Sequence, residues 1–424
     1  MRLGVAGLGT VAQGLFMLLS ENADRVARQL GRPISIARVA SRTPRPHIDT
    51  LGAKFSTDLD SLLGDDVDIV VELIGGIEDA NHLISKAIEL RKPVVTANKA
   101  VLSQFGNTYI SRARECQVPL GFEASVAGGI PIVAVLKDGL AGNSIDSIAG
   151  ILNGTCNFVL TQMDMHDSTF ESALQEAQDL GFAESDPSFD IDGIDAAQKL
   201  SILGSIAFDQ PIDLNNIYVE GITNVELDDL HYARELGYRV KHIAIARVFD
   251  ASVEMRVHPA LVSENDLLSL IDGVDNAITV AANGVESLLL KGPGAGSRPT
   301  ASAVLSDIIE IAKGKSSLPT NNTSTRSASP ISDLSCEYYL YIPVADEPGV
   351  MATLAEVMGN HLISMEAVIQ KSDAVRQTGD YRWVPVVLLT DRVKESVLDA
   401  TIEDLQGISA VHGDIRRIRV VDFN

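Results

Sequence analysis

Five carboxylates and one lysine fall within sixteen residues of this chain, Glu184-Ser-Asp-Pro-Ser-Phe-Asp-Ile-Asp-Gly-Ile-Asp-Ala-Ala-Gln-Lys199. Pro187 and Gly193 punctuate a loop, and the apolar spacing from Ile194 through Leu200, Ile202, Leu203 and Ile206 then follows a helical period. Asp195 and Lys199 are four apart, so that helix puts them on one face about a turn from each other. Carboxylates so placed can hold an ammonium group, and the lysine can move a proton. An acidic helix start with a surface ion pair has the same spacing. The elements around the segment must decide between the two.

The chain opens with a short apolar strand running into Gly7-Leu-Gly9-Thr10-Val11-Ala12 and then an amphipathic helix through about residue 29. This is G-x-G-x-x-A in its proper strand-to-helix setting. Gly7 allows the tight turn, Gly9 lets backbone approach a pyrophosphate, and the third position must be small. The helix start at Thr10 and Val11 offers free N–H groups to phosphate. A second strand over 34–40 ends at Ser41-Arg42, where an NAD site usually carries an acid. A hydroxyl and a cation, with Arg45 nearby, suit a 2′-phosphate instead, which favours NADP over NAD. Strand 67–74, helix 79–90 and strand 93–96 follow, and Lys99 emerges after the last strand, where such sheets bind ligands. The alternation predicts a Rossmann-type doubly wound parallel sheet.

The 424 residues allow two or three domains, and 46% hydrophobic content can fill their cores. The net charge is −23, with 26 acids against 10 bases over residues 151–315, so no basic face is available to nucleic acid. No run of 18 apolar residues and no signal peptide are read, so no membrane association is expected. Three distant cysteines, Cys116, Cys156 and Cys336, suit a reducing cytoplasm rather than a disulfide framework.

Further segments complete a pattern: Val71-Glu-Leu-Ile-Gly-Gly-Ile, Val94-Val-Thr-Ala-Asn-Lys99, Phe122-Glu-Ala-Ser-Val-Ala-Gly-Gly-Ile-Pro131, Ile151-Leu-Asn-Gly-Thr155, and Gly292-Pro-Gly-Ala-Gly296 before Pro299-Thr-Ala-Ser-Ala. With the glycine loop and the acidic segment they run in order across residues 1–315, and the chain resembles the homoserine dehydrogenases. Ala12 in place of a common glycine, and Ser297-Arg298 in the last glycine loop, are the departures. The resemblance implies pyridine-nucleotide-dependent interconversion of L-aspartate 4-semialdehyde and L-homoserine. It implies Lys199 as proton donor, Glu184 and Asp195 as homoserine-binding groups, and Asp190 as a carboxylate of the same site. It places Lys99 against substrate and nicotinamide, and Gly181 and Gly296 beside the cofactor. It also implies a sodium ion held by Glu123 and the carbonyls of Val126, Gly128 and Ile130, a chemically sensible set of hard oxygen ligands. A mixed sheet in the second domain would make the contact of a homodimer or homotetramer.

The expected organisation is a dinucleotide-binding domain over 1–130 and a catalytic and dimerisation domain over 131–313, whose helix 300–312 packs back on the first. A polar linker over 314–335 and a C-terminal domain over 336–424 follow. That last part reads β-α-β-β-α-β, with strands at 337–343, 362–371, 382–389 and 411–421 and helices at 349–358 and 393–405, a ferredoxin-like order. Val344-Ala-Asp-Glu-Pro-Gly349-Val and Ile363-Ser-Met-Glu-Ala-Val-Ile-Gln370 resemble an ACT domain. This implies an amino-acid effector, taken as L-threonine, near the Pro348-Gly349-Val350 turn. Two alternatives stand beside the main reading. One is a phosphorylating semialdehyde dehydrogenase using Cys156, and the other an amino-acid sensor on an inactive dehydrogenase scaffold.

Overall fold

The computed structural model describes residues 1–249, 252–315, 326–378 and 381–423. Residues 316–325, the middle of the expected linker, lie outside the described residues. The first sheet contains β1 (Arg2–Ala6), β2 (Ser35–Ala40), β3 (Lys54–Ser56), β4 (Ile69–Glu72), β5 (Val94–Thr96) and β6 (Leu120–Gly121). Its order is β3-β2-β1-β4-β5-β6, and every pair is parallel. Leu3, Val5, Ile69, Val70, Val71, Val94 and Val95 are all buried, as strands covered on both faces by helices must be.

The expected first helix is two helices, Thr10–Glu21 and Ala23–Leu30. Asn22 breaks it, because its side-chain amide donates to the Leu18 carbonyl at 3.1 Å and its own carbonyl starts the second helix by accepting from Val26. The helix expected at 300–312 begins earlier and spans Ser297–Ala312. Its Ala301, Val304, Leu305 and Ile308 pack into one core with Leu3, Val5, Ala12, Leu15 and Phe16. Ser297 Oγ donates to the Thr10 carbonyl at 2.8 Å, and Arg298 pairs with Glu21. The chain thus returns to the dinucleotide domain after building the catalytic one.

The second sheet begins with β7 (Ile145–Ile151), and β8 (Tyr218–Val219) pairs alongside its β9 (Tyr238–Phe249) and β10 (Ser252–Ser263). With β11 (Asp275–Ala282) and β12 (Val285–Pro293) the order is β12-β11-β7-β9-β10. It does not stop there. The last strand of the chain, Arg416–Val421, pairs parallel with β10, joining Ala260 to Arg419 and Val262 to Val421. Strands Tyr338–Ala345, Tyr381–Thr390 and Met365–Gln370 then follow outward in that order. With helices Val350–Asn360 and Glu395–Gln406, the tail has the expected β-α-β-β-α-β ferredoxin-like arrangement. Tyr339, Tyr341, Val387, Leu389 and Ile418 on one face of that sheet share a core with Leu230, Tyr232, Ala233 and Leu261 of the catalytic domain. Beyond the undescribed stretch, Ser327–Ala328 pairs with β10, and the Arg326 N–H donates to Gln210.

Candidate active site

The acidic segment folds into a short helix, Ser188–Ile191, and then the helix Ile194–Ala207. Gly193, at φ 86°, makes the left-handed turn between them, a conformation only glycine adopts without strain. Asp195 sits in the first turn, where the helix dipole favours an anion, and Lys199 lies one turn on. Both are buried, with side chains 4% and 11% exposed. A surface pair is thereby ruled out.

Asp195 holds two ammonium groups. Lys199 Nζ lies 2.7 Å from Oδ2, and Lys99 Nζ lies 2.6 Å from Oδ1. Burial alone would raise the Asp195 pKa, but the charges of Lys199 and Lys99 prevail and hold the carboxyl well below the usual range. The magnitudes agree. Opposite charges about 4 Å apart attract by about 4 kcal/mol at an effective dielectric near 20, and two such terms outweigh a desolvation cost of several kcal/mol. Lys199 also donates to the Leu152 carbonyl at 2.7 Å, a second anchor that fixes its direction.

Lys99 arrives from the other domain. It is the first residue of helix Lys99–Cys116, a position where the dipole disfavours a cation, so Asp195 compensates for its placement. Asn98 caps that helix by accepting the Val101 N–H, and its amide donates to the carbonyls of Ile74 and Gly76. Beneath it, Glu72 accepts from the Thr96 hydroxyl at 2.5 Å and the Ile74 N–H at 2.9 Å, and burial pushes its pKa up to about 7. The ammonium of Lys99 stands 5.3 Å from the centre of the half-open Phe189 ring.

Asp190 is held beside the pair rather than against a lysine. Asn153 donates to Asp190 at 2.7 Å and to Asp195 at 2.8 Å, and Thr155 donates to Asp190 at 3.0 Å. Asn276 reaches the same Leu152 carbonyl as Lys199, at 2.9 Å. Asn153, Thr155, Asn276 and Glu72 escaped the sequence reading. Three of them lie within segments that carry the resemblance, but uncharged side chains give no spacing signal of their own. Glu184 is brought to the same loop yet is exposed, with its carbonyl accepting from Gln178. Cys156 is fully buried, donates to the Asp190 carbonyl at 3.1 Å, and has its thiol pKa pushed far up by burial. Such a sulfur is no nucleophile.

At the glycine loop, Gly7 adopts φ 103° and stands where a Cβ would press on the Leu73 carbonyl, while the space beside Gly9 is open. The site therefore has backbone access for a pyrophosphate. Arg42 is exposed at the end of β2, and Arg45 donates to the Leu8 carbonyl at 3.3 Å. Gly181 and Gly296 both adopt positive φ, and Gly296 precedes helix Ser297–Ala312. Glu123 is buried and accepts the N–H groups of Val133 at 2.9 Å and Ala134 at 2.7 Å. Ala127 and Gly128, in the loop that contains Val126 and Ile130, both have left-handed φ near 54°.

A parallel dinucleotide sheet whose ligand edge carries Lys99, facing a buried Asp195–Lys199 pair from a second domain, defines an NAD(P)-dependent oxidoreductase. The family model described as homoserine dehydrogenase matches residues 131–309, and that of the homoserine dehydrogenase NAD-binding domain matches 7–123. The homoserine dehydrogenase of Pseudomonas aeruginosa is 42% identical, over 100% of this chain and 99% of its own. That of Bacillus subtilis is 34% identical, over 97% and 96%. A crystal structure of a homoserine dehydrogenase from Thiobacillus denitrificans superposes with a TM-score of 0.92 at 39% identity, covering 100% of this chain and 99% of that one. A hyperthermophilic archaeal homoserine dehydrogenase in complex with NADPH gives 0.64 at 26%, covering 75% and 99%. The chain belongs to the homoserine dehydrogenase family.

Proposed function

We propose that this enzyme interconverts L-aspartate 4-semialdehyde and L-homoserine with Lys199 as the proton-transfer group. The buried Lys199–Asp195–Lys99 triad carries the reading. A nicotinamide cofactor supplies or accepts the hydride. The substrate oxygen then needs a proton, and Lys199, fixed by Asp195 and the Leu152 carbonyl, is the buried ammonium that can give it and later recover it. The substrate is itself an amino acid. Its ammonium suits Glu184, exposed at the entrance, and the Asp195–Asp190 side, and its carboxylate suits Lys99, the more open lysine at 35% side-chain exposure. The inertness of Cys156 removes the support for the thioester alternative, and retention of the whole triad speaks against a sensor that has lost its activity.

NADP is the preferred cofactor in this reading. The end of β2 offers Ser41 and Arg42 and no acid, and Arg45 stands over the glycine loop. The NADPH-bound archaeal relative is consistent with it. Arg42→Asp should shift the ratio of kcat/KM from NADPH toward NADH, because it removes a phosphate partner and adds repulsion. Steady-state kinetics with both cofactors and aspartate semialdehyde test the activity and the preference together.

The Glu123 loop fits a sodium ion. Burial raises the pKa of this carboxyl despite two N–H donors, so a cation held with the carbonyls of Val126, Gly128 and Ile130 would offset a buried charge. Among the described residues no three His, Cys, Asp or Glu side chains gather as a metal site, which suits a weakly held ion bound mainly by backbone. Among the described residues no helix is long and apolar enough to cross a membrane. A cytoplasmic homodimer or homotetramer, with L-threonine as effector of an ACT-type C-terminal domain in threonine, methionine and isoleucine biosynthesis, completes the reading.

A further inference from the structure

The segment Tyr218–Ile222 lies between the C-terminal domain and the reactive helix, and its two sides are held by different means. On one side stands Arg419 of the last strand, 1% exposed. Its guanidinium donates to Glu220 Oε2 at 2.7 Å, to the Tyr218 hydroxyl at 3.1 Å and to Glu395 at 2.9 Å. On the other side, Ile222 N–H donates to the Ile191 carbonyl at 2.8 Å, and Gly221 is so close that a Cβ there would meet Ile191 O at 2.3 Å. The Glu220 carbonyl meets His242 Nε2 at 3.0 Å. His242, on β9, is 2% exposed, and its ring would contact a Cβ at Gly193 at 3.3 Å.

Gly193 is the turn from which the helix bearing Asp195 and Lys199 begins. The contacts therefore run without a gap from Arg419 through Glu220 and His242 to the start of that helix. We propose that His242 is a positioning residue for the reactive helix, and that Glu220 and Arg419 tie its setting to the C-terminal domain. The inference rests on the reading of Asp195 and Lys199 as the reacting pair.

Two physical points support it. A buried arginine–glutamate pair is no more stabilising than well-packed apolar side chains, so its value lies in fixing one arrangement. A histidine buried against a glycine turn likewise sets a distance that a flexible side chain would not. Burial holds the His242 ring neutral, so it acts here as a neutral donor of fixed shape.

The test uses the full chain and kinetics normalised to NADPH-binding sites. His242→Leu keeps bulk but removes the donor, and kcat should fall about tenfold, less than the roughly 10²-fold that a 1 Å misplacement can cost. His242→Gln returns an N–H near the position of Nε2 and should recover most of the loss. Glu220→Gln should lower kcat a few-fold in the same direction, with the NADPH Kd unchanged in all three variants. Asp228→Asn weakens the same domain interface elsewhere, at Tyr341 and Arg376, and should leave kcat unchanged. An unchanged kcat in His242→Leu and Glu220→Gln overturns the proposal. So does an equal loss in Asp228→Asn, which would mean that docking in general, and not this path, is needed. If His242→Leu does not fold, Glu220→Gln decides alone. Lys199→Ala separates the layers: full activity there would remove the reacting pair itself, whereas its loss beside an unaffected His242→Leu would remove only the positioning path.

Discussion

Asp195 and Glu72 show two fates of a buried carboxyl in one protein. Asp195 faces two ammonium groups and stays charged, whereas Glu72 faces neutral donors and is pushed up to about 7. The Glu72 shift has a consequence for stability. Its folded-state pKa lies above the unfolded value of about 4.3, so the folded state holds the extra proton and stability falls as pH rises through that window. Glu72→Gln should therefore lose less stability than the wild type between pH 5 and pH 8. The difference should be at most about 3 kcal/mol, from a shift of roughly two units at 1.36 kcal/mol each. Denaturant unfolding at the two pH values measures it, and parallel loss in both proteins would contradict it. At this scale the charged half of the site was legible, since Lys99, Asp190, Asp195 and Lys199 stand out by charge and spacing. Asn153 and Asn276 were not, because an amide acquires a role only from what folding places next to it.

At the scale of elements, periodicity located the parallel sheet, the reactive helix and the ferredoxin-like tail, because each buries one regular stripe or run. It failed where a single side chain overrode it. Asn22 divides the first helix by bonding its own backbone neighbourhood, and Asn98 starts a helix at Lys99 where the sequence suggested only a turn. Packing between helix Thr10–Glu21 and helix Ser297–Ala312 depends on Gly14, where a Cβ would meet the Ser297 carbonyl at 2.5 Å. Gly14→Ala should cost about 1–3 kcal/mol, the usual range for overpacking, and should weaken NADPH binding because the first helix also frames the glycine loop. Thermal unfolding and cofactor titration check both, and wild-type values for both would show that the helices part without strain.

At the scale of the whole molecule, the structure changes the meaning of the tail. Its composition suggested a module on a polar tether, but its last strand extends the catalytic sheet and its sheet face covers Leu230, Tyr232 and Leu261. Sequence could not show this, because strand pairing between distant segments leaves no local pattern. Truncation at about residue 314 would expose that core, so it should give an aggregating protein rather than an unregulated enzyme. Regulation is better tested in the full chain. Millimolar L-threonine should bind by calorimetry and lower kcat/KM, which requires tighter binding to one arrangement of the assembly than to another. Neither binding nor inhibition at that concentration would leave the tail a structural extension of the sheet.

The central claim is that Lys199, held by Asp195, moves the proton. Steady-state reduction of aspartate semialdehyde by NADPH with Lys199→Ala tests it directly. The account predicts a fall in kcat of about 10² or more, on the order of a general acid–base contribution, with NADPH affinity near that of the wild type. A kcat within a few-fold of the wild type would contradict it.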